Sequence, residues 1–447
     1  MKILIVILLA LLLSSCINNV GRPIDYIFEN VHVIPMDKPE VLHNRAIIVD
    51  DGKIISVVKQ AEASHVNALV RIDGKGKYVM PGLADMHVHV RWNPEKMFDL
   101  FLANGITTVV NMRPEDGGYD HLALRNNVLA GELAGPRYLL SGHHLQGEFP
   151  KDIEEVTRIL DEQTLKKISF VKIHGDLKPE IYNAILKGAK ERGLKVVGHA
   201  QHKMSLNRTL EMDALEHAEE LLYVATDERG VQEISVDFLT GYRANVSRLL
   251  NPAQRKKVVD QIAASGIYLD PTLIVYKMVG VWQSDEHLAV LANDPDMAYL
   301  PEDIKAFWLN PATNPYQEEG FPITRLEVEK NLQLMQLLIK ELHHAGVPLL
   351  SGSDTFGTLV PGISLHQELK LLVDAGLTPY EALRCSTVNV AAYLNESHVA
   401  GMIKPGFRAD FILLKHNPLS DINNSRSVNG VFTQGKWFSR SELEKNF

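Results

Sequence analysis

The chain has 447 residues, is 45% apolar and 23% charged, and carries a net charge of −9. That is the composition of an ordinary globular protein with material for one large domain and a smaller one, which excludes a disordered or fibrous chain. The acidic balance speaks against a nucleic-acid partner, and two cysteines exclude a disulfide-stapled scaffold.

Residues 1–16 read as a lipoprotein signal peptide rather than as fold. Lys2 supplies a short positive region, residues 3–13 are unbroken apolar, and Leu13-Ser14-Ser15-Cys16 has the form of a bacterial lipobox. The apolar stretch is too short to span a membrane and suits a signal segment. The expectation is cleavage before Cys16, lipidation at that residue, and a protein anchored to a membrane of the cell envelope outside the cytoplasm. A plain secretory signal is the alternative. Cys385 falls in the apolar pattern of a late helix and is expected to be a small buried residue.

Residues 24–80 carry β-branched runs broken by Asp-Gly and Gly-Lys-Gly turns. Asp50-Asp51-Gly52-Lys53 between two apolar runs predicts a hairpin. Residues 401–447 return to the same style with FRADFILLKHN and SVNGVFTQGKWF. Neither end has enough strands for a sheet of its own, so the two together predict a composite β-sandwich. Residues 81–400 alternate strand-like and helical stretches. The strand candidates are LADMHVHV, ITTVVNM, RYLLSG, FVKIHG, KVVGHA, DALEHA, IYLDPTL and VPLLSGSD, with helices expected over 151–167, 179–192, 252–265 and 325–345. This predicts an α/β fold, a (β/α)8 TIM barrel, whose catalytic residues sit at the C-terminal ends of the strands. Residues 279–322 break the rhythm, being rich in Pro, Asn and aromatic residues. They read as an insertion: a lid, a substrate wall, an extra surface helix or a dimer contact. Thr378, Pro379 and Glu381 form a capping-box signature for the last helix of this region.

Six residues close apolar runs in that order: His87 and His89, Lys172, His199, His217 and Asp354. His87 and His89 are two apart, so on a strand both face one side and can reach one ion. Imidazoles and carboxylates suit a borderline divalent metal such as zinc. Asp354 can both ligate an ion and shuttle a proton. Taken singly, His217 would be an ion-pair histidine and Lys172 a lysine snorkelling at a strand end; only the joint pattern singles them out. With 18 histidines in the chain most are not ligands, and His32, His43, His65 and His121 read as surface residues.

The ordered set resembles the metal-dependent amidohydrolase superfamily over residues 24–438. The resemblance implies two divalent ions, zinc being the expected metal, held by His87, His89, Lys172, His199, His217 and Asp354. Lys172 would carry a carbon-dioxide-derived carbamate that bridges the ions. A metal-bound hydroxide would attack a carbonyl, with Asp354 passing its proton to the leaving amine. Gly401-Met402-Ile403-Lys404-Pro405-Gly406 resembles the family's re-entry into its small β domain. Candidate substrate contacts are His143 and His144 after the third strand, for the oxyanion; Arg113, for a substrate carboxylate; and Tyr276 and His366, for which packing roles are equally open. The contexts of Lys172 and His366 are most similar to the Xaa-Pro dipeptidase (prolidase) and imidazolonepropionase-related branch. The expected substrate is a dipeptide or an N-acyl amino acid. A cyclic-amide or lactone hydrolase, a single-metal deaminase, and a non-catalytic tethered binding protein are the rivals, and homo-oligomerisation stays open.

Overall fold

The computed structural model describes residues 22–224 and 238–446. The expected signal segment, with Cys16, lies outside the described residues. Among the described residues, no helix is long and apolar enough to cross a membrane.

The two ends of the chain build one sheet. Strands β1 (Ile24–Val33), β2 (Leu42–Asp50), β3 (Lys53–Lys59), β4 (Ala68–Asp73) and β5 (Tyr78–Pro81) come from the N-terminal side. The predicted hairpin joins β2 to β3: Asp51 and Gly52 both take positive φ, 49° and 66°, as a two-residue turn with the strand twist requires. After the long helical region, the chain returns to the same sheet and pairs antiparallel with β5, Phe411 opposite Pro81 and Leu414 opposite Tyr78. Phe28, Phe411 and Phe432 meet at its core, with Phe28 edge-on to Phe411 at 4.9 Å and Phe411 stacked on Phe432 at 5.2 Å.

Parallel strands fill the middle of the chain. β6 (Leu83–Val88), β7 (Ile106–Asn111) and β8 (Arg137–Leu140) form one sheet. β9 (Leu145–Gly147), β10 (Phe170–Leu177), β11 (Lys195–Gly198), β12 (Ala214–Glu216) and β13 (Tyr268–Asp270) form a second. Backbone bonds connect the two: Gly142 donates to Phe170, Leu350 to Leu269, and Met86 to Ser351. Met86 of β6, Val110 of β7, Phe170 of β10, Val197 of β11, Ala214 of β12 and Leu350 share one buried cluster. The strands beyond them complete the terminal sheet: β14 (Phe411–Leu414), β15 (Val428–Thr433) and β16 (Lys436–Ser439).

Helices lie over Ile153–Leu165, Pro179–Arg192, Pro252–Ser265 and Arg325–His344, within two residues of expectation. The capping box of Thr378 and Glu381 is formed. Two strand expectations need correction. IYLDPTL stops being a strand at Asp270, and Leu273 opens the helix Leu273–Trp282, because Pro271 donates no backbone hydrogen bond and Thr272 turns the chain at φ 45°. VPLLSGSD makes only an isolated parallel bridge, Leu269 with Leu349, and not a ladder. His121, expected at the surface, is buried and bonded to the Tyr138 hydroxyl at 2.7 Å. Cys385 is buried and free, as expected.

Candidate active site

The six residues picked from the sequence meet at the strand ends. His87 lies on β6, His89 just beyond it, Lys172 on β10, His199 after β11, His217 after β12, and Asp354 after the bridged segment. All six line one cavity of about 320 Å3. His89 Nε2 is 3.0 Å and His87 Nε2 3.5 Å from Asp354 Oδ1, while His217 Nδ1 is 4.0 Å from Asp354 Oδ2. The rings of His87 and His217 lie 4.9 Å apart, and those of His217 and His199 4.6 Å.

The backbone that makes this convergence is costly. His217, Thr272 and Asp354 all sit at positive φ, 66°, 45° and 45°. A non-glycine residue there costs about 1–3 kcal/mol and persists only where its surroundings enforce it. Those surroundings are visible. The Asp354 amide donates to the His87 carbonyl at 2.7 Å. Buried Asp85 accepts from the Ser353 amide at 2.9 Å and its hydroxyl at 2.6 Å. A Cβ at position 352 would stand 2.4 Å from Asp270 Oδ2, so only glycine lets this segment approach the floor of the site.

Hydrogen bonds fix the imidazoles. His199, which lines the cavity, donates from Nδ1 to Glu220 Oε1 at 3.0 Å, and this bond orients its ring. His217 Nδ1 bonds to the Thr272 hydroxyl at 2.7 Å. Burial holds His87 and His217 below the ordinary histidine range, so their ring nitrogens keep lone pairs. Burial alone would raise the Asp354 carboxyl, but His87 and His89 outweigh it and hold it well below the carboxylate range.

Sequence reasoning missed several residues here. Glu216, fully buried, forms an ion pair with Lys172 and places Oε1 3.3 Å from His87 Nδ1. Burial opposes its charge, yet Lys172 holds its carboxyl well below the usual value. His87, Glu216 and His217 form one group of donor atoms within 4.8 Å of one another, and His87, His89 and Asp354 form another. His174 lines the cavity two residues beyond Lys172 and donates from Nδ1 to Gln146 Oε1 at 2.8 Å. Burial lowers it to about 3, so it is neutral and Nε2 is an acceptor. Arg91, Glu219, Tyr316 and Phe356 complete the walls. The spacing of two that pairs His87 with His89 also pairs Lys172 with His174 and His89 with Arg91, so that signal was present in the sequence.

The substrate candidates divide. Arg113, His144 and Tyr276 line the cavity. His144 is neutral, lowered by burial to about 3, and its Nε2 donates to the Met112 carbonyl at 2.9 Å. Nδ1 is therefore an acceptor, which corrects the expectation that His144 donates to an oxyanion. His143 is exposed and paired with Glu115 in the adjoining cavity, away from the metal-ligand candidates. His366 takes the packing role that the sequence left open. It is buried, with Nε2 donating to the Asn104 carbonyl at 2.9 Å and Nδ1 bonded to the Ser425 hydroxyl at 2.7 Å. It ties the helix Ile363–Asp374 to the 3-10 turn Ile422–Arg426 between β14 and β15. From the segment 279–322, Val279 and Tyr316 reach the cavity.

A family model described as "Amidohydrolase family" matches residues 78–438. An imidazolonepropionase from Thermoplasma volcanium is 20% identical over 88% of this chain and 89% of its own length. An adenine deaminase from Staphylothermus marinus is 35% identical over 95 residues, which are 20% of this chain and 16% of that protein. The chain thus spans about a fifth or less of the length of the first curated relatives it matches. Among solved structures, a Xaa-Pro dipeptidase with methionine bound in its active site superposes with a TM-score of 0.67 at 19% identity, covering 93% of this chain and 99% of that one. At that identity the likeness speaks to the fold. The family match covers the whole cavity: this chain belongs to the amidohydrolase family.

Proposed function

We propose that this chain cleaves the amide bond of a dipeptide or an N-acyl amino acid. The carrying observation is the single cavity that brings His87, His89, Lys172, His199, His217 and Asp354 together beside two guanidiniums, Arg91 and Arg113. The donor set fits divalent metal ions. It offers neutral imidazoles, an ionised Asp354, and a buried Glu216 whose Oε1 has no hydrogen-bond partner among the described residues. Mixed nitrogen and oxygen donors suit zinc. His87, His89, His199, His217, Asp354 and Lys172, once its amine is carboxylated, would hold two such ions. When bound, the ions would supply an activated water and a polarised carbonyl.

The protein's own groups do the remaining work. Asp354, kept ionised by its histidines, takes the proton of the attacking water and hands it to the leaving amine. Arg113 and Arg91 present planar forks that match a substrate carboxylate; Arg91 is held on the wall by stacking over Phe356 at 5.1 Å. Val279 and Tyr316 of the insertion cover the substrate as a wall. In the same reading, the two parallel sheets and residues 349–351 close into a (β/α)8 barrel, supported by the cross-sheet hydrogen bonds. The terminal sheet would be a composite domain, and the chain would be lipid-anchored at Cys16 outside the cytoplasm, supported by the sequence of residues 2–16.

A second reading is a single-ion deaminase. It is favoured by the ion pair of Lys172 with Glu216, which engages the lysine as an ammonium. The test is an assay of protein loaded with zinc and bicarbonate against a library of dipeptides and N-acyl amino acids, with Asp354→Asn as control. Amino acids released by the native chain and not by the control are the expected result. Ammonia release from amines or nucleobases, with no amino acid released, would replace the proposal with the second reading.

A further inference from the structure

A second cavity, about 280 Å3, adjoins the cavity of the metal-ligand candidates, and His89 and Arg91 line both. Its walls come from three parts of the chain. The segment after β6 and the helix Pro94–Ala103 give Trp92 and Met97, and the loop after Asp354 gives Leu359 and Pro361. The insertion gives Ile304 and Trp308 from the helix Glu302–Trp308. These two are four apart and share one face of that helix, while Phe307 is exposed.

Aromatic packing fixes these walls. Trp308 lies against Trp282 at 4.7 Å and edge-on to Phe356 at 4.9 Å. The Trp282 indole donates to the Thr358 hydroxyl at 2.9 Å, and a Cβ at Gly357 would stand 2.5 Å from the same indole. The loop after Asp354 is thus packed onto the ring that also holds Trp308. Phe356 carries Arg91 over its face, so the guanidinium is held at the border of the two cavities.

The lining selects by charge as well as by area. Besides His89 and Arg91 on the shared border, Asp303 is the titratable lining residue among the described residues, and it is exposed. Its carboxylate repels a second anion, and a cation would gain little from an exposed pair while being repelled by Arg91. An uncharged apolar group is left. Two indoles in the wall favour a ring, because aromatic pairs gain beyond the area they bury.

We propose that this cavity is the side-chain pocket for the carboxyl-terminal residue of the substrate, taking a large apolar or aromatic group, with Arg91 at its border holding the neighbouring carboxylate. One α-carbon carries both groups, so a pocket that begins at Arg91 reads the amino acid released and not the acyl arm. The inference rests on the proposed hydrolase reading and narrows it to substrates that end in a residue such as phenylalanine, tryptophan or leucine.

The test uses probes without a scissile bond. 3-Phenylpropanoate, propanoate and 4-guanidinobutanoate are titrated by calorimetry into the zinc-loaded native chain, Ile304→Trp, Ile304→Glu and Arg91→Gln, with melting temperature as the control for folding. 3-Phenylpropanoate should bind the native chain about tenfold tighter than propanoate. Ile304→Trp fills the pocket and Ile304→Glu makes it acidic, so each should abolish that preference. Arg91→Gln should weaken 3-phenylpropanoate about tenfold. Equal affinity for the two probes in the native chain, a preference kept in either folded Ile304 variant, or tighter binding of 4-guanidinobutanoate than of 3-phenylpropanoate overturns the proposal. Unchanged affinity in Arg91→Gln overturns the placement of the carboxylate. Should Ile304→Trp fail to fold, Ile304→Glu decides, because the first turn of a helix tolerates an acidic residue. In the kinetic arm, kcat/KM for N-acetyl-L-phenylalanine should exceed that for N-acetyl-L-alanine about tenfold, and the ratio should vanish in the Ile304 variants. Equal values in the native chain overturn the assignment to substrate. If neither is hydrolysed, the hydrolase reading fails, while the binding arm still decides the pocket.

Discussion

In the terminal sheet, the left-handed residues Asp51 and Gln434 each precede a glycine in a two-residue turn between antiparallel strands. At the cavity rim, His217, Thr272 and Asp354 take the same conformation with no such excuse. Asp and polar residues before Gly are what a hairpin turn asks for, whereas a β-branched Thr at φ 45° is what local preference forbids. The cores differ in the same way. The terminal sheet is packed with Phe28, Phe411 and Phe432, all fully buried. The rim buries Lys172, Glu216, Asp270 and three histidines. One region obeys its local sequence; the other is held against it by the rest of the fold, which is where function is expected to reside.

Breaking each region should therefore have a different signature. The largest effect is expected at Asp354. Asp354→Asn keeps the bonds of its backbone and loses the proton shuttle, so kcat should fall by about 10²–10⁴-fold with little change in melting temperature. Near-native turnover would remove Asp354 from the mechanism. The mirror experiment is Phe432→Ala. It should destabilise the protein by about 3–5 kcal/mol in denaturant unfolding, with kcat of the folded fraction preserved. A loss of kcat without loss of stability would mean that the two regions are coupled through the site.

Finer changes sharpen the contrast. Thr272→Ala removes the hydroxyl that orients His217 at 2.7 Å, and metal affinity should drop about 10–100-fold. Thr272→Ser should restore it; failure to do so would assign Thr272 a packing role only. A pH-dependent effect is expected at Glu368, buried with Oε2 accepting from the Ile274 amide at 2.7 Å. Burial raises its carboxyl to about 8. The folded protein thus holds a proton that the unfolded chain releases above the ordinary value of 4.5. This contribution is fully present below that value and is lost as pH rises to about 8. Glu368→Gln keeps the neutral form at every pH, so the variant should gain about 1.4 kcal/mol over the native chain for each pH unit in that window. Parallel stability curves would show that Glu368 ionises normally.

The comparison also explains what the sequence could disclose. The hairpin at Asp51-Gly52 and the capping box at Thr378 were legible because each obeys a local turn or capping rule, and the six metal-ligand candidates because their residue types close apolar runs in one order. Glu216 was not. On a strand it would face away from its neighbour His217, but β12 ends at Glu216 and His217 turns left-handed, so donor atoms of both come within 4.8 Å of His87. His366 carried a polar, helix-borne context no different from that of a ligand, and only its bonds to Asn104 and to Ser425, on the turn between β14 and β15, show its packing role. The last apolar run gave no ladder, since on one side its backbone bonds all meet Leu269, which donates to Pro348 and accepts from Leu350, and on the other they are the bonds of Met86 to Ser351 and of Asp354 to His87. His174 and Arg91 were legible by the same spacing that exposed His89.

The proposed function rests on a two-ion site in which a carboxylated Lys172 would join the ligands of the two ions. Its most direct test is the metal content of the native protein and of Lys172→Ala after loading with zinc and bicarbonate and removal of free ions. The account predicts about two ions per native chain, a loss of about one in Lys172→Ala, and partial recovery when short carboxylic acids are added. One ion per chain in both proteins would contradict the bridge and leave the Lys172–Glu216 ion pair as the resident state of the site.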